Sequence, residues 1–483
     1  MVRINKNILT ALLFILAVQS SVMAKTKVEK MDELMGLYHK YGQFSGSVLV
    51  AESGKVIFKK SYGYANKEWK IKNKPNTKFR IASITKQFTA MLIMQMVEQG
   101  KIKLEGKISD YLPDYREDTG KQVNVHQLLT HTSGIPSYTS QQNFFKDTSR
   151  DRYSVKDFVE KFCSGDLEFE PGEKFAYNNS GYFLLGAIIE QVSGKSYDAV
   201  LKEKIFTPLG MNDSGYDHND KIIENRASGY QKKIHGFINA PYLDMSLPYA
   251  AGAIYSTVED LNRWDQALFG EKLLSGKYKK LMFTNHKDGY AYGWGVLDFE
   301  FENPEEKIKM TSHSGGINGF STYIARYPED NNSVILLNNA AGGSVRGMSH
   351  DLTRILYEKP YKLPKRSLAE AMYKMIGKKG IDNAIKSYAS LKKNKPNEYH
   401  FVEGELNRLG YELVAESKTK EAIEIFKLNA ELYADSANVF DSLGEAYMID
   451  NQNKLAILNY EKSLKMDPEN KNAEAMLEKL KQS

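Results

Sequence analysis

"GSVLVAESGKVIFKKSYGYA", residues 46–65, alternates apolar and polar side chains on either side of Ser53-Gly54, the pattern of a strand, a tight turn and a second strand. Hairpins of the same kind return far downstream. In "GWGVLDFEFENPEEKIKMTSHSGG" (293–316) the turn falls at Asn303-Pro304, and in "STYIARYPEDNNSVILLNN" (321–339) it falls around Asp330-Asn331. Between them, "SGYFLLGAIIEQVSG" (180–194) and "TVEDLNRWDQALFG" (257–270) carry helical periodicity ending in glycine. Strands at both ends with helices between predict an α+β domain whose terminal strands share one sheet.

With 483 residues, 42% of them hydrophobic, the chain can build a sizeable core and more than one domain. Its first residues, "MVRINKNILTALLFILAVQSSVMAK", combine a basic start, an apolar run from Ile8 to Val18 and a small-residue stop at Val22-Met23-Ala24. This is the pattern of a signal peptide over residues 1–24, cleaved after Ala24. The apolar run is too short for a bilayer core of ~30 Å, so the processed protein is not expected to be integral to a membrane. A periplasmic or secreted bacterial protein is expected. The single cysteine, Cys163, rules out an intramolecular disulfide. The formal charge of +6 drops to +4 once Arg3 and Lys6 of the signal segment are set aside, and no basic block is interleaved with aromatics. A nucleic-acid partner is therefore not expected.

The texture changes after Arg366. A principal domain over residues 25–358 is expected, then a linker over 359–366 within "EKPYKLPKRS", then charged helical sequence over 367–483. Leu409-Gly410, Ala422 and Phe426 recur 34 residues later as Leu443-Gly444, Ala456 and Tyr460, with Pro468 closing the second copy. A looser copy around Ala384 and Tyr388 is offset by 38. Small residues at one helix crossing and an aromatic at the next suit stacked helix pairs, and the register resembles tetratricopeptide repeats. Such repeats present a surface for a protein partner.

In "FRIASITKQFTAMLIMQMVEQG" (79–100), Ser83 falls at the start of an apolar helix and Lys86 faces the same side three residues on. A serine there has free N–H groups and the positive helix end beside it, both suited to a developing oxyanion. A buried lysine must pair with an anion or lose its proton, and a neutral one can take the serine proton. By these residues alone, a lysine that snorkels to solvent fits equally well. "EKFAYNNSGYFLLG" (173–186) sets Tyr177 and Asn179 just before a second apolar helix. A phenol beside a cationic lysine can be held partly ionised as a general base, but packing for Tyr177 and helix capping by Asn179 or Ser180 also fit. In "KMTSHSGGING" (309–319), His313 ends a strand and Gly315-Gly316 let backbone approach a ligand. His131 and Ser133 in "LLTHTSGIPSY" (128–138) point apart on an extended chain and read as a structured loop. The nine histidines show no ligand spacing, so no metal is expected.

Ser83-Ile84-Thr85-Lys86, Tyr177-Asn178-Asn179 and His313-Ser314-Gly315, in that order, resemble the three motifs of the penicillin-recognising serine hydrolases. "LLTHTSGIP", "YAAGAIYSTVEDLNRW" and "YGWG" before "HSGGINGF" are similar to the class C β-lactamase-related family over roughly residues 30 to 355. The resemblance implies a β-lactamase/transpeptidase-like fold, an antiparallel sheet packed with helices plus an all-helical subdomain. It implies Ser83 as nucleophile, Lys86 as its activating partner, Tyr177 as general base and Asn179 as substrate and lysine contact. His313 and Gly315 would form the sheet-edge motif, with the N–H groups of Ser83 and Gly316 as oxyanion hole. Tyr138 and Tyr292 are candidates for lining the pocket, and no cofactor is implied. Many β-lactamases carry Lys-Thr-Gly where this chain has His-Ser-Gly, so no fixed charge awaits a substrate carboxylate. The expected activity is hydrolysis of an ester, β-lactam or D-amino-acid amide, including peptidoglycan-type substrates, through an acyl-enzyme. The rival expectation is a non-turnover sensor that binds such molecules and recruits a protein through its repeats.

Overall fold

The computed structural model describes residues 25–482, so the signal segment read at residues 1–24 lies outside them. The two ends of the principal domain meet in one antiparallel sheet. Its strands are β1 (Gly46–Glu52), β2 (Lys55–Tyr62), β3 (Gly295–Glu300), β4 (Lys307–Ile317), β5 (Phe320–Tyr327) and β6 (Asn332–Asn338), in the order β3-β4-β5-β6-β1-β2. Gly46 lies opposite Asn338 and Ala51 opposite Ser333, which joins the first hairpin to the last. The β1–β2 turn takes φ of +49° at Ser53 and +76° at Gly54, the two positive values a two-residue hairpin needs.

Both faces of this sheet are covered, which is why β1, β5 and β6 are almost wholly buried. Val48, Val50, Val334 and Leu336 pack on one side with Met31, Leu34 and Met35 of helix α1 (Lys27–Lys40). Leu49, Ala51, Ile335 and Leu337 face the larger core, built on α2 (Thr85–Glu98) and α3 (Asn179–Ser193). Helix α4 (Val345–Leu356) closes the first side through Met348, Leu352 and Ile355.

Helix α2 is central rather than amphipathic, and every residue from Thr85 to Met96 is buried. Several of its polar groups find partners inside the core. Gln87 accepts from the Trp264 indole at 3.0 Å and Thr89 donates to the Ala250 carbonyl at 2.6 Å. Helix α3 stops at Gly194 in the left-handed conformation, as its sequence suggested. The Val258–Ala267 helix stops short of Gly270.

Beyond Arg366 the described chain is helical: α5 (Leu368–Lys379), α6 (Ile381–Asn394), α7 (Glu403–Ala415), α8 (Thr419–Leu432), α9 (Ala437–Ile449), α10 (Asn453–Met466) and α11 (Lys471–Gln482). The bounds of α7 and α8 recur in α9 and α10 with the same offset of 34 residues that the sequence shows. Gly410 lies against the Phe426 ring and Gly444 against Tyr460, so each small residue makes room for the aromatic of its own pair. The region is docked on the principal domain. Ile234, at a hairpin tip (Tyr230–Lys233 with Gly236–Asn239), is buried in the helical core, and Lys232 pairs with Glu370 at 3.2 Å.

Candidate active site

Ser83 sits in a 3-10 turn, Ala82–Ile84, immediately before α2. Ala82 takes φ of +51°, a strained value for a residue with a Cβ, and this turn presents the Ser83 side chain to a cavity. The free edge of β4 packs against it. Pairing between β3 and β4 ends at Ser312, so His313 to Ile317 have β5 on one side and the serine turn on the other. The strand therefore runs on through the glycines to Ile317, rather than ending at His313 as the sequence suggested. A Cβ on Gly315 would come 2.2 Å from the Ile81 carbonyl oxygen, which is why this approach needs glycine.

Lys86 is wholly buried, which excludes the snorkelling alternative. Its Nζ donates to Asn179 Oδ1 at 2.8 Å and to the Ala251 carbonyl at 2.9 Å, and lies within hydrogen-bond reach of Ser83 Oγ at 3.2 Å. None of these partners is an anion, and burial pushes the lysine pKa well below its ordinary value. The Tyr177 ring lies 4.9 Å from Lys86 Nζ. Tyr177 keeps 41% of its surface exposed, and desolvation of its phenol end raises its pKa, only partly offset by hydrogen bonding to Ser83. Desolvation thus works against charge on both groups, most strongly on the wholly buried Lys86, and so against the partly ionised phenol beside a cationic lysine that the sequence suggested.

Asn178, not Asn179 or Ser180, caps α3 by accepting from Gly181 N–H at 2.7 Å. That leaves Asn179 free to hold Lys86 through Oδ1 and Thr139 Oγ1 through Nδ2, the latter at 2.9 Å. His313 is buried, its Nε2 3.0 Å from the Tyr290 hydroxyl and its Nδ1 2.6 Å from the Ser314 carbonyl. Burial, then Lys86, lower its pKa to about 4.

A cavity of about 160 Å3 opens at Ser83, lined among others by Tyr138, Asn179, Leu247, Gly316 and Ile317. Tyr138 is where the sequence put it, but Tyr292 is not. It bonds His126 at 2.8 Å and stacks on His286 outside this lining, while Tyr290, two residues away, reaches His313. A larger groove of about 750 Å3, between Leu112–Arg116 and Val155–Ser164, contains none of these residues. Sequence reasoning missed Tyr290 and Thr139, and it left His131 without a role. The signal for His131 was the "HTSG" loop itself, since the His131 ring lies tilted against Tyr177 with ring centroids 4.3 Å apart. Among the described residues, no group of three or more His, Cys, Asp or Glu is arranged to hold a metal ion.

The buried histidines make stability sensitive to acid. The ordinary histidine pKa is about 6.5 and His313 is held near 4, so between those values the unfolded chain takes up a proton that the fold refuses. Stability therefore falls as pH drops through that window, by about 3 kcal/mol at most from His313. Denaturant titrations from pH 7 to pH 4.5 should show this loss, and His313→Asn should flatten the slope.

A serine-bearing turn before a buried helix, a lysine bonded to its hydroxyl and a sheet edge laid across it define a serine β-lactamase or penicillin-binding type of hydrolase fold. The Beta-lactamase family model matches residues 27–359, and the chain belongs to that family. It is 33% identical to "Penicillin-binding protein 4*" of Bacillus subtilis over 386 residues, 75% of this chain and 82% of the relative. Among solved structures it resembles a penicillin binding protein from Bacillus halodurans, at 31% identity and a TM-score of 0.58, over 67% of this chain and 98% of that one. It also resembles D-amino acid amidase from Ochrobactrum anthropi SV3, at 25% identity and a TM-score of 0.60, over 68% and 98% of the two chains. Members of this family are serine hydrolases.

Proposed function

We propose that this protein is an exported hydrolase that forms an acyl-enzyme on Ser83 and passes the acyl group to water. One observation carries the reading: Lys86 is buried without an anion and bonded to Ser83 Oγ, so a neutral amine stands ready beside the hydroxyl. In the proposed reaction the Ser83 oxygen forms a bond to the substrate carbonyl carbon while its proton moves to Lys86. The resulting oxyanion faces the N–H groups of Ser83 and Gly316. As the bond to the leaving group breaks, the Tyr177 hydroxyl gives that group a proton and is reprotonated from Lys86. Water then adds to the acyl carbon, its proton passing along the same route to Ser83 Oγ as the bond from that oxygen to the acyl carbon breaks and the acid is released. Asn179 holds Lys86 throughout, and His313, neutral, fixes the sheet edge through Tyr290. Export rests on the first 24 residues. No helix among the described residues is long and apolar enough to cross a membrane.

The lining narrows the substrate. Among the described residues bounding the cavity at Ser83, none carries a charge, and Phe144, Phe145, Leu243, Leu247 and Ile317 make it apolar. A neutral ester or amide fits this better than a molecule with a carboxylate beside the scissile bond, because an unpaired charge is costly to desolvate. The test is mass mapping after a fluorophosphonate and, in parallel, labelled penicillin. A fluorophosphonate adduct on Ser83, absent from Ser83→Ala, with slower labelling by the carboxylate-bearing penicillin, is expected. An adduct on another serine would overturn the site, and faster penicillin labelling would overturn the neutral-substrate reading.

A further inference from the structure

His131 is wholly buried and lies in the left-handed region, at φ of +59°, where a side chain with a Cβ is strained. Its Nε2 has no hydrogen-bond partner among the described residues. An unpaired buried polar atom and a strained backbone are each unfavourable, and they persist where the surroundings require that residue. The bonds it does make fall on either side of one residue. The His131 carbonyl accepts from Ala176 N–H at 2.9 Å, and its ring Nδ1 accepts from Asn178 N–H at 3.0 Å. The ring also lies against Tyr177, 4.3 Å between centroids, with Tyr290 on it at 4.6 Å and Tyr182 at 5.0 Å.

We infer that His131 is a positioning residue that clamps the backbone on both sides of Tyr177 and backs its ring, fixing the phenol hydroxyl relative to Ser83 and Lys86. This rests on the reading of Tyr177 given above. Because Nδ1 accepts, the ring is the tautomer protonated on Nε2, and Nδ1 is occupied by the backbone rather than by Ser133. Ser133 instead accepts from Ile135 N–H at 3.3 Å. The pair is therefore not a second nucleophile and base. The same bond fixes the entry into α3, since Asn178 caps that helix and Asn179 follows with the Lys86 contact.

The clamp separates three substitutions of the full chain. Asparagine carries an acceptor on the same carbon as Nδ1 and tolerates the left-handed backbone, glutamine places its acceptor one bond further out, and phenylalanine keeps a ring without any acceptor. With a neutral aryl ester, His131→Phe should lower kcat by roughly ten- to a hundredfold, as small misplacements of a reacting group do, with KM within about threefold of the parent. His131→Asn should recover kcat to within about threefold and His131→Gln should not. In a Tyr177→Phe background, His131→Phe should cost less than about threefold more, because the hydroxyl it positions is gone. If His131→Phe does not fold, judged by its thermal transition, the asparagine and glutamine pair decides. Parent-like kcat in folded His131→Phe, equal kcat in the asparagine and glutamine variants, or an undiminished loss in the Tyr177→Phe background would overturn the clamp. A Tyr177→Phe enzyme as active as the parent would instead overturn the reading of Tyr177.

Discussion

Replacing Lys86 with methionine is expected to slow acylation of Ser83 by about a thousandfold, near the middle to upper range for losing a positioned base. The change removes the one amine that touches Ser83 Oγ, while methionine's similar length keeps the helix core filled. Stability should change much less. Burying the amine disfavours its charged form, an unfavourable term that methionine abolishes, whereas Asn179 Oδ1 and the Ala251 carbonyl lose a donor at about 1–3 kcal/mol. These opposite terms largely offset, so loss of activity with a near-parental thermal transition is the expected pair of results. The rate should also fall with acid in the parent, since protonating Lys86 removes the base, and its depressed pKa extends the active range downward from the ordinary lysine value. Burst kinetics with a chromogenic ester across pH measures both effects. A Lys86→Met enzyme that acylates at the parent rate would eliminate lysine as the base.

Tyr177→Phe is expected to reduce turnover by about a hundredfold or more through loss of the hydroxyl that carries the proton to the leaving group. The ring would remain on His131 and Tyr290, so the fold and KM should change little. The Tyr177 pKa is shifted up from its ordinary value, so the parent should show no loss of activity from phenol ionisation near neutral pH. The acidic limb set by Lys86 should survive in Tyr177→Phe. A phenylalanine variant that acylates and turns over like the parent would leave Tyr177 a packing residue.

Much of the fold was legible because it rests on local regularities. Alternation around Ser53-Gly54 marked the first hairpin, and a hydrophobic run closed by glycine marked α3 through to Gly194. The 34-residue repeat set helix bounds that recur at the same offset along the chain. Three residues between Ser83 and Lys86 place both on one side of a helical turn, whatever surrounds them. Sequence order also brought Tyr177, Asn179 and His313 forward as candidates, through the resemblance their motifs carry.

Tertiary structure decided what those side chains meet. Whether Lys86 snorkels or is buried depends on the Ala251 carbonyl and Asn179, residues far along the chain that only packing brings to it. Tyr290 and Tyr292 look alike in sequence, yet one reaches His313 and the other His126, because each ring's surroundings come from different elements. His131 carried no visible partner in its own loop; its role arises where that loop meets the segment entering α3. Local sequence fixes backbone periodicity and spacing, whereas burial, and with it the lowered pKa of Lys86 and of His313, belongs to the assembled core.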